Sequence, residues 1–167
     1  MKSIITVLVE NRAGVLARTA GLFARRGFNI ESLAVGETQN PTVSRMTIVV
    51  DADPNVITQV EKQLNKQIDV IKVRVLEAGE AVCREAALIK VKAGADERRQ
   101  IADIAAIMKA AVVDLSPSTA TLEIIDTPER VRKLLGLLEP YGITEMARTG
   151  VIALQSGAGA IKTLASS

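Results

Sequence analysis

Asn11, Gly14 and Asn29 are the residues whose types and spacing could do chemistry in this chain. Asn11 and Gly14 lie between a strand-like run, Val7-Leu8-Val9, and a helix-like run that begins at Val15. A strand-to-helix corner leaves backbone N–H groups unpaired and a partial positive potential facing outward, which is a site for an anion. Gly14 has no Cβ, so a carboxylate could approach the backbone closely, and the Asn11 amide could both donate to it and cap the helix. Asn29, at the start of the next strand, offers a second amide nearby or across a dimer interface. Val15, Leu16 and Ile30 could wall an apolar side chain, so the set suits a small zwitterion such as an amino acid. The same residues also make ordinary turns: Asn11 with Gly14 suits any helix entry, and Gly27 with Asn29 any helix exit. Arg12, Arg25 and Arg26 read as solvated charges.

Composition removes much other chemistry. The 167 residues contain no histidine, which takes away the commonest general base, the histidine triads and most catalytic zinc sites. The single cysteine, Cys83, precedes an apolar run and reads as a small packing residue. The three aromatics, Phe23, Phe28 and Tyr141, are too few for a base-stacking platform. Net charge is +2 with no block of like charges, so neither nucleic acid nor a membrane surface is expected as a partner. With no signal-peptide pattern, no spanning apolar stretch and no possible internal disulfide, the expected setting is cytoplasmic.

The elements that must position the corner follow from periodicity. Strand 4–10, helix 15–25, strand 29–37, strand 43–51, helix 54–67 and strand 70–76 make one βαββαβ unit. Val15, Leu16, Thr19, Leu22 and Phe23 share one face of the first helix, and Ile57, Val60, Leu64 and Ile68 share one face of the second. Gln39-Asn40-Pro41 turns between the middle strands, and Asp53 before Pro54 reads as a helix cap. After a polar break at Glu77-Ala78-Gly79-Glu80 the order recurs: strand 84–92, helix 96–108, strand 111–115, strand 119–126, helix 128–138 and strand 143–154. "IVVDADP" at 48–54 and "EIIDTPE" at 123–129 each place a strand, an aspartate and a proline-led helix start alike. The fold class is α+β, two consecutive ferredoxin-like βαββαβ sandwiches. Domains are expected at 1–77 and 83–155, with 156–167 a flexible tail. The apolar strands at 3–9 and 46–50 are expected to pair or pack against a second copy, giving a homodimer.

Segment 11–50, "NRAGVLARTAGLFARRGFNIESLAVGETQNPTVSRMTIVV", closely resembles the opening of the small regulatory subunits of acetolactate synthase. "QVEKQLNKQIDVIKV" and "REAALIKV" at 84–91 follow in family order, so the likeness covers most of the chain. The resemblance implies that the first half is an ACT domain, a module that binds amino acids at a dimer interface. It also implies an effector, usually valine, held by Asn11, Gly14, Val15, Leu16, Asn29 and Ile30. The implied partner is a separate large catalytic subunit carrying thiamine diphosphate, magnesium and FAD, which the small subunit stimulates and makes sensitive to feedback in branched-chain amino acid biosynthesis. No cofactor or metal motif is visible in this chain, as a non-catalytic subunit requires. A free-standing amino-acid sensor acting on another partner would use the same pocket. An enzyme of acylphosphatase type is disfavoured, because the glycine-rich phosphate cradle after the first strand is missing.

Overall fold

A computed structural model describes residues 2–161. The chain forms two compact units: one runs through Val82 and is rejoined by the chain from Val151 onward, and the other is Cys83–Gly150.

The first unit contains β1 (Lys2–Glu10), α1 (Val15–Arg25), β2 (Ile30–Glu37), β3 (Val43–Asp51), α2 (Pro54–Asn65) and β4 (Val70–Leu76). Its sheet has the order β2-β3-β1-β4 with every neighbouring pair antiparallel. Each strand–helix–strand crossover therefore joins parallel strands that are not neighbours, which is the ferredoxin-like sandwich. Strand alternation sends Ile5, Val7 and Val9 of β1 and Met46, Ile48 and Val50 of β3 to the helix side. There they bury against Val15, Leu22 and Phe23 of α1 and Ile57, Val60 and Leu64 of α2. Leu16 and Ile68, which the periodicity assigns to these apolar faces, are instead 46% and 94% exposed. α2 ends at Asn65, so Ile68 lies in the turn before β4 and follows no helical face. Asp53 takes the N-cap position, but its side chain makes no cap bond; its carbonyl accepts from Val56 and Ile57 instead.

The sheet order corrects the expected mode of self-association. β1 and β3 are the central strands, paired on both sides, so neither has an edge to offer a second copy. β2 and β4 hold the edges. The face away from the helices is not bare either: Ile4, Thr6, Leu8, Thr47, Val49 and Leu76 are all buried. The returning chain lies against this face. The Val151 N–H donates to Ser32 Oγ at 2.7 Å, Arg45 Nη2 donates to the Ala153 carbonyl at 2.6 Å, and Arg74 Nη1 donates to Gln155 Oε1 at 2.5 Å. Val151 and Ala153 are buried, while Ile152 and Leu154 point out.

The second unit repeats the order with β5 (Ala81–Lys92), which starts within the first unit, α3 (Glu97–Met108), β6 (Ala111–Leu115), β7 (Thr119–Asp126), α4 (Pro128–Leu138) and β8 (Ile143–Arg148). Its sheet order, β6-β7-β5-β8, matches the first, and Ile89, Val91, Leu122 and Ile124 meet Ile101, Val131, Leu134 and Leu138 in its core. The single strand expected at 143–154 is two: β8 ends at Arg148, and β9 (Ile152–Gln155) follows Gly150, whose φ of +81° turns the chain. The break matters because it ends the second unit at Gly150, not at 155, and sends the remainder back to the first. Of the expected tail, Ser156 donates its N–H to the Glu80 carbonyl at 2.7 Å, and 162–167 lie outside the described residues.

Candidate functional site

At the end of β1 the backbone is tied on both sides. The Glu10 N–H donates to the Asp69 carbonyl at 2.9 Å and the Asn11 N–H to the Thr42 carbonyl at 2.8 Å. Gly14 then adopts φ +83°, the left-handed region, and α1 begins. Glycine is needed there because a Cβ at that φ is strained, and the added atom would stand 3.1 Å from Arg18 Nη1. The start of α1 carries no side-chain cap and no acidic residue in its first turn. Its first-turn N–H groups have no carbonyl within the helix, so the corner keeps the positive potential that a carboxylate seeks.

The sequence-derived site residues do not all stand where that reading puts them. The Asn11 amide does not cap α1: Nδ2 donates to the Pro41 carbonyl at 2.9 Å and to Glu37 Oε1 at 3.2 Å, pinning the corner to the β2–β3 hairpin. Val15 is buried in the core and Ile30 packs partly into it, so the first is unavailable as a ligand wall and the second is half-committed. Leu16, Asn11, Gly14 and Asn29 are exposed. Arg12 pairs with Glu10. At the helix exit the structural reading accounts for Gly27: φ is +73°, and the N–H groups of Gly27 and Phe28 close the last turn onto Ala24 and Phe23.

Asn29 is far from Asn11 within one chain. Glu10 pairs with Val43 at one end of β3, and Ile30 pairs with Val50 near the other. Seven residues of strand separate the two positions, roughly 23 Å at 3.3 Å per residue. "Nearby" is therefore excluded inside a protomer. An open groove of about 650 Å³ on this unit is lined by Arg18, Gly21, Ala24, Arg25, Ile68 and Asp69 among others, and by neither asparagine.

One residue at the corner escaped the sequence reading. Arg18, a turn into α1, directs Nε and Nη2 at Asp69 Oδ2 at 2.9 and 2.5 Å while Nη1 faces Gly14. Its partner is remote in sequence, so no local spacing could have marked it.

The equivalent corner of the second unit lacks the polar set. The Ala93 N–H donates to the Ser118 carbonyl as Asn11 does to Thr42, but Ala93 is a buried methyl with no amide to offer. Asp96 and Glu97 follow, and a Cβ on Gly94 would meet Glu97 Oε2 at 2.7 Å, so a carboxylate of the chain itself already lies against this backbone. Among the described residues no group of three or more His, Cys, Asp or Glu could hold a metal ion, and no helix is long and apolar enough to cross a membrane.

Comparison with known proteins places both units. Residues 5–72 match the family described as the acetolactate synthase small subunit-like ACT domain, and residues 84–157 match the family described as the small subunit of acetolactate synthase. The acetolactate synthase small subunit of Mycolicibacterium smegmatis is 50% identical over 153 residues, 92% of this chain and 90% of that protein. That of Mycobacterium leprae is 48% identical over 160 residues, 96% and 95% of the two chains. The crystal structure of the small subunit from Thermotoga maritima superimposes with a TM-score of 0.87 at 37% identity, covering 93% of this chain and 97% of that one. With both family models in chain order and relatives matched over nearly their whole length, the chain belongs to the acetolactate synthase small-subunit family.

Proposed function

We propose that this protein is the regulatory subunit of an acetolactate synthase. It has no active site of its own, stimulates a separate catalytic subunit that carries thiamine diphosphate, magnesium and FAD, and makes that transferase sensitive to valine. Family membership supports the partner. The observation that carries the effector site is the split between Asn11 and Asn29.

β2 is an edge strand, paired on one side by β3 alone. Antiparallel pairing of two β2 edges about a twofold axis sets the Ile30 end of one strand beside the Glu37 end of the other. The second copy's Asn29 then arrives at the hairpin that Asn11 pins through Glu37 and Pro41. Each dimer holds two such composite sites. The first-turn N–H groups of α1 face the carboxylate end of the ligand, the Asn11 carboxamide oxygen can accept from its ammonium, and exposed Leu16 offers an apolar surface. A zwitterion with a small aliphatic side chain matches that set, and Asn29 supplies an acceptor for its ammonium.

Reconstitution with the cognate large subunit tests the reading. Alone, the protein should not convert pyruvate; mixed, it should raise the large subunit's rate, and valine should lower the rate of the pair. Turnover by this chain alone, or no change in rate on mixing, would overturn it.

A further inference from the structure

We infer that Arg18 and Asp69 are positioning residues for the effector corner, holding it from the side opposite Asn11. The inference rests on the composite-site reading above. Asn11 ties the corner to the β2–β3 hairpin. Arg18 and Asp69 tie it to the turn before β4, from three directions at once.

The backbone carbonyl of Asp69 takes the Glu10 N–H, its carboxylate takes the Arg18 fork, and Arg18 returns its own N–H to the Gly14 carbonyl at 3.0 Å. Asp69 is 6% exposed, so its carboxylate is removed from water and depends on this partner. The guanidinium also lies over Gly14, where Nη1 stands 3.1 Å from the place a Cβ would occupy. The ion pair thus fastens the first turn of α1 to the residue whose main-chain carbonyl holds the last residue of β1, with the left-handed glycine beneath the guanidinium. Both residues lie on the β4 side of the corner, away from the β2 edge, so neither needs to touch the ligand. Their role is to set where the first-turn N–H groups point. A planar fork does this and a flexible ammonium does not, so lysine is a poor replacement for Arg18.

The test uses the full chain in complex with its large subunit, with variants Arg18→Ala, Arg18→Lys, Asp69→Asn and, for the site itself, Asn11→Ala. Amide hydrogen exchange at 10–18 is read alongside valine titrations and thermal melting. Arg18→Ala and Asp69→Asn should speed exchange at the corner and raise the half-inhibiting valine concentration about three- to fivefold, the scale of a part-exposed ion pair. Stimulation and maximal inhibition should be retained, and Arg18→Lys should recover part of the shift. A variant that is merely less stable would melt lower with its valine midpoint unmoved, which would overturn the inference. Unchanged exchange at the corner would overturn it too. If Asn11→Ala leaves the midpoint unmoved, the composite site fails and the inference falls with it; if Asn11→Ala shifts the midpoint and the Arg18 and Asp69 variants do not, the site stands and the inference alone fails.

Discussion

Asn11 and Asn29 stand at opposite ends of the same sheet: Asn11 follows Glu10, which pairs with Val43 of β3, and Asn29 precedes Ile30, which pairs with Val50. An amino acid cannot span that distance, so a ligand shared by the two asparagines demands two chains.

Two complementary variants make the demand measurable. Asn11→Ala and Asn29→Ala should each weaken valine by the worth of a charge-assisted hydrogen bond, about 1.5–3 kcal/mol. Co-expressed with different tags and purified as mixed dimers, the two variants place both defects in one composite site and leave the other intact. Sensitivity to valine should then return in the mixed dimer, with one high-affinity site by calorimetry. If each chain used its own pair of asparagines, no intact site could form and sensitivity would stay lost.

Gly14 separates strain from ligand exclusion. Because φ is +83°, Gly14→Ala and Gly14→Asp should both lose stability by about 1–2 kcal/mol. Gly14→Asp also places a negative charge where the proposed site takes the ligand carboxylate, so feedback should vanish there and be only reduced in Gly14→Ala. Urea denaturation and valine titration of both variants check this. Equal loss of feedback in the two would assign the effect to backbone strain.

The returning segment is expected to be part of the first unit's stability. Truncation after Gly150 removes the buried Val151 and Ala153 and takes away the carbonyl that Arg45 meets. Loss of one buried valine contact and one charged hydrogen bond sums to about 3–6 kcal/mol before relaxation. Chemical denaturation followed by exchange at β1 and β3 amides should show those strands opening at lower urea in the truncated chain.

In the second unit Asp126 sets a pH dependence. The hydrogen bond from Arg130 Nε at 2.6 Å, followed by that from the Thr127 N–H, holds its carboxyl below the usual carboxylate range. A depressed folded value means the contribution is complete above the unfolded value, near 4, and is lost as pH falls through the folded one. Asp126→Asn should therefore melt lower than the parent at pH 7, with the gap closing in acid. A gap that persists at pH 2 would place its origin elsewhere.

Much of the fold was legible because it depends on local period. Alternation at Ile5, Val7 and Val9 and the helical spacing of Val15, Leu22 and Phe23 report which face each element buries, whatever the rest of the chain does. The same holds for the proline-led starts of α2 and α4 and for the positive-φ glycines at corners. The family, too, was legible in the linear motifs of 11–50.

Tertiary structure decided what linear spacing does not carry. Strand order made β1 and β3 central and β2 an edge, since pairing depends on contacts between residues far apart in the chain, such as Glu10 with Val43 in one direction and Val9 with Val70 in the other. It put Asn29 at the far end of the sheet from Asn11 and brought Asp69 to Arg18 across 51 positions. Gly150 broke what alternation reads as one strand, because a single left-handed residue redirects a chain without changing the apolar pattern on either side of it.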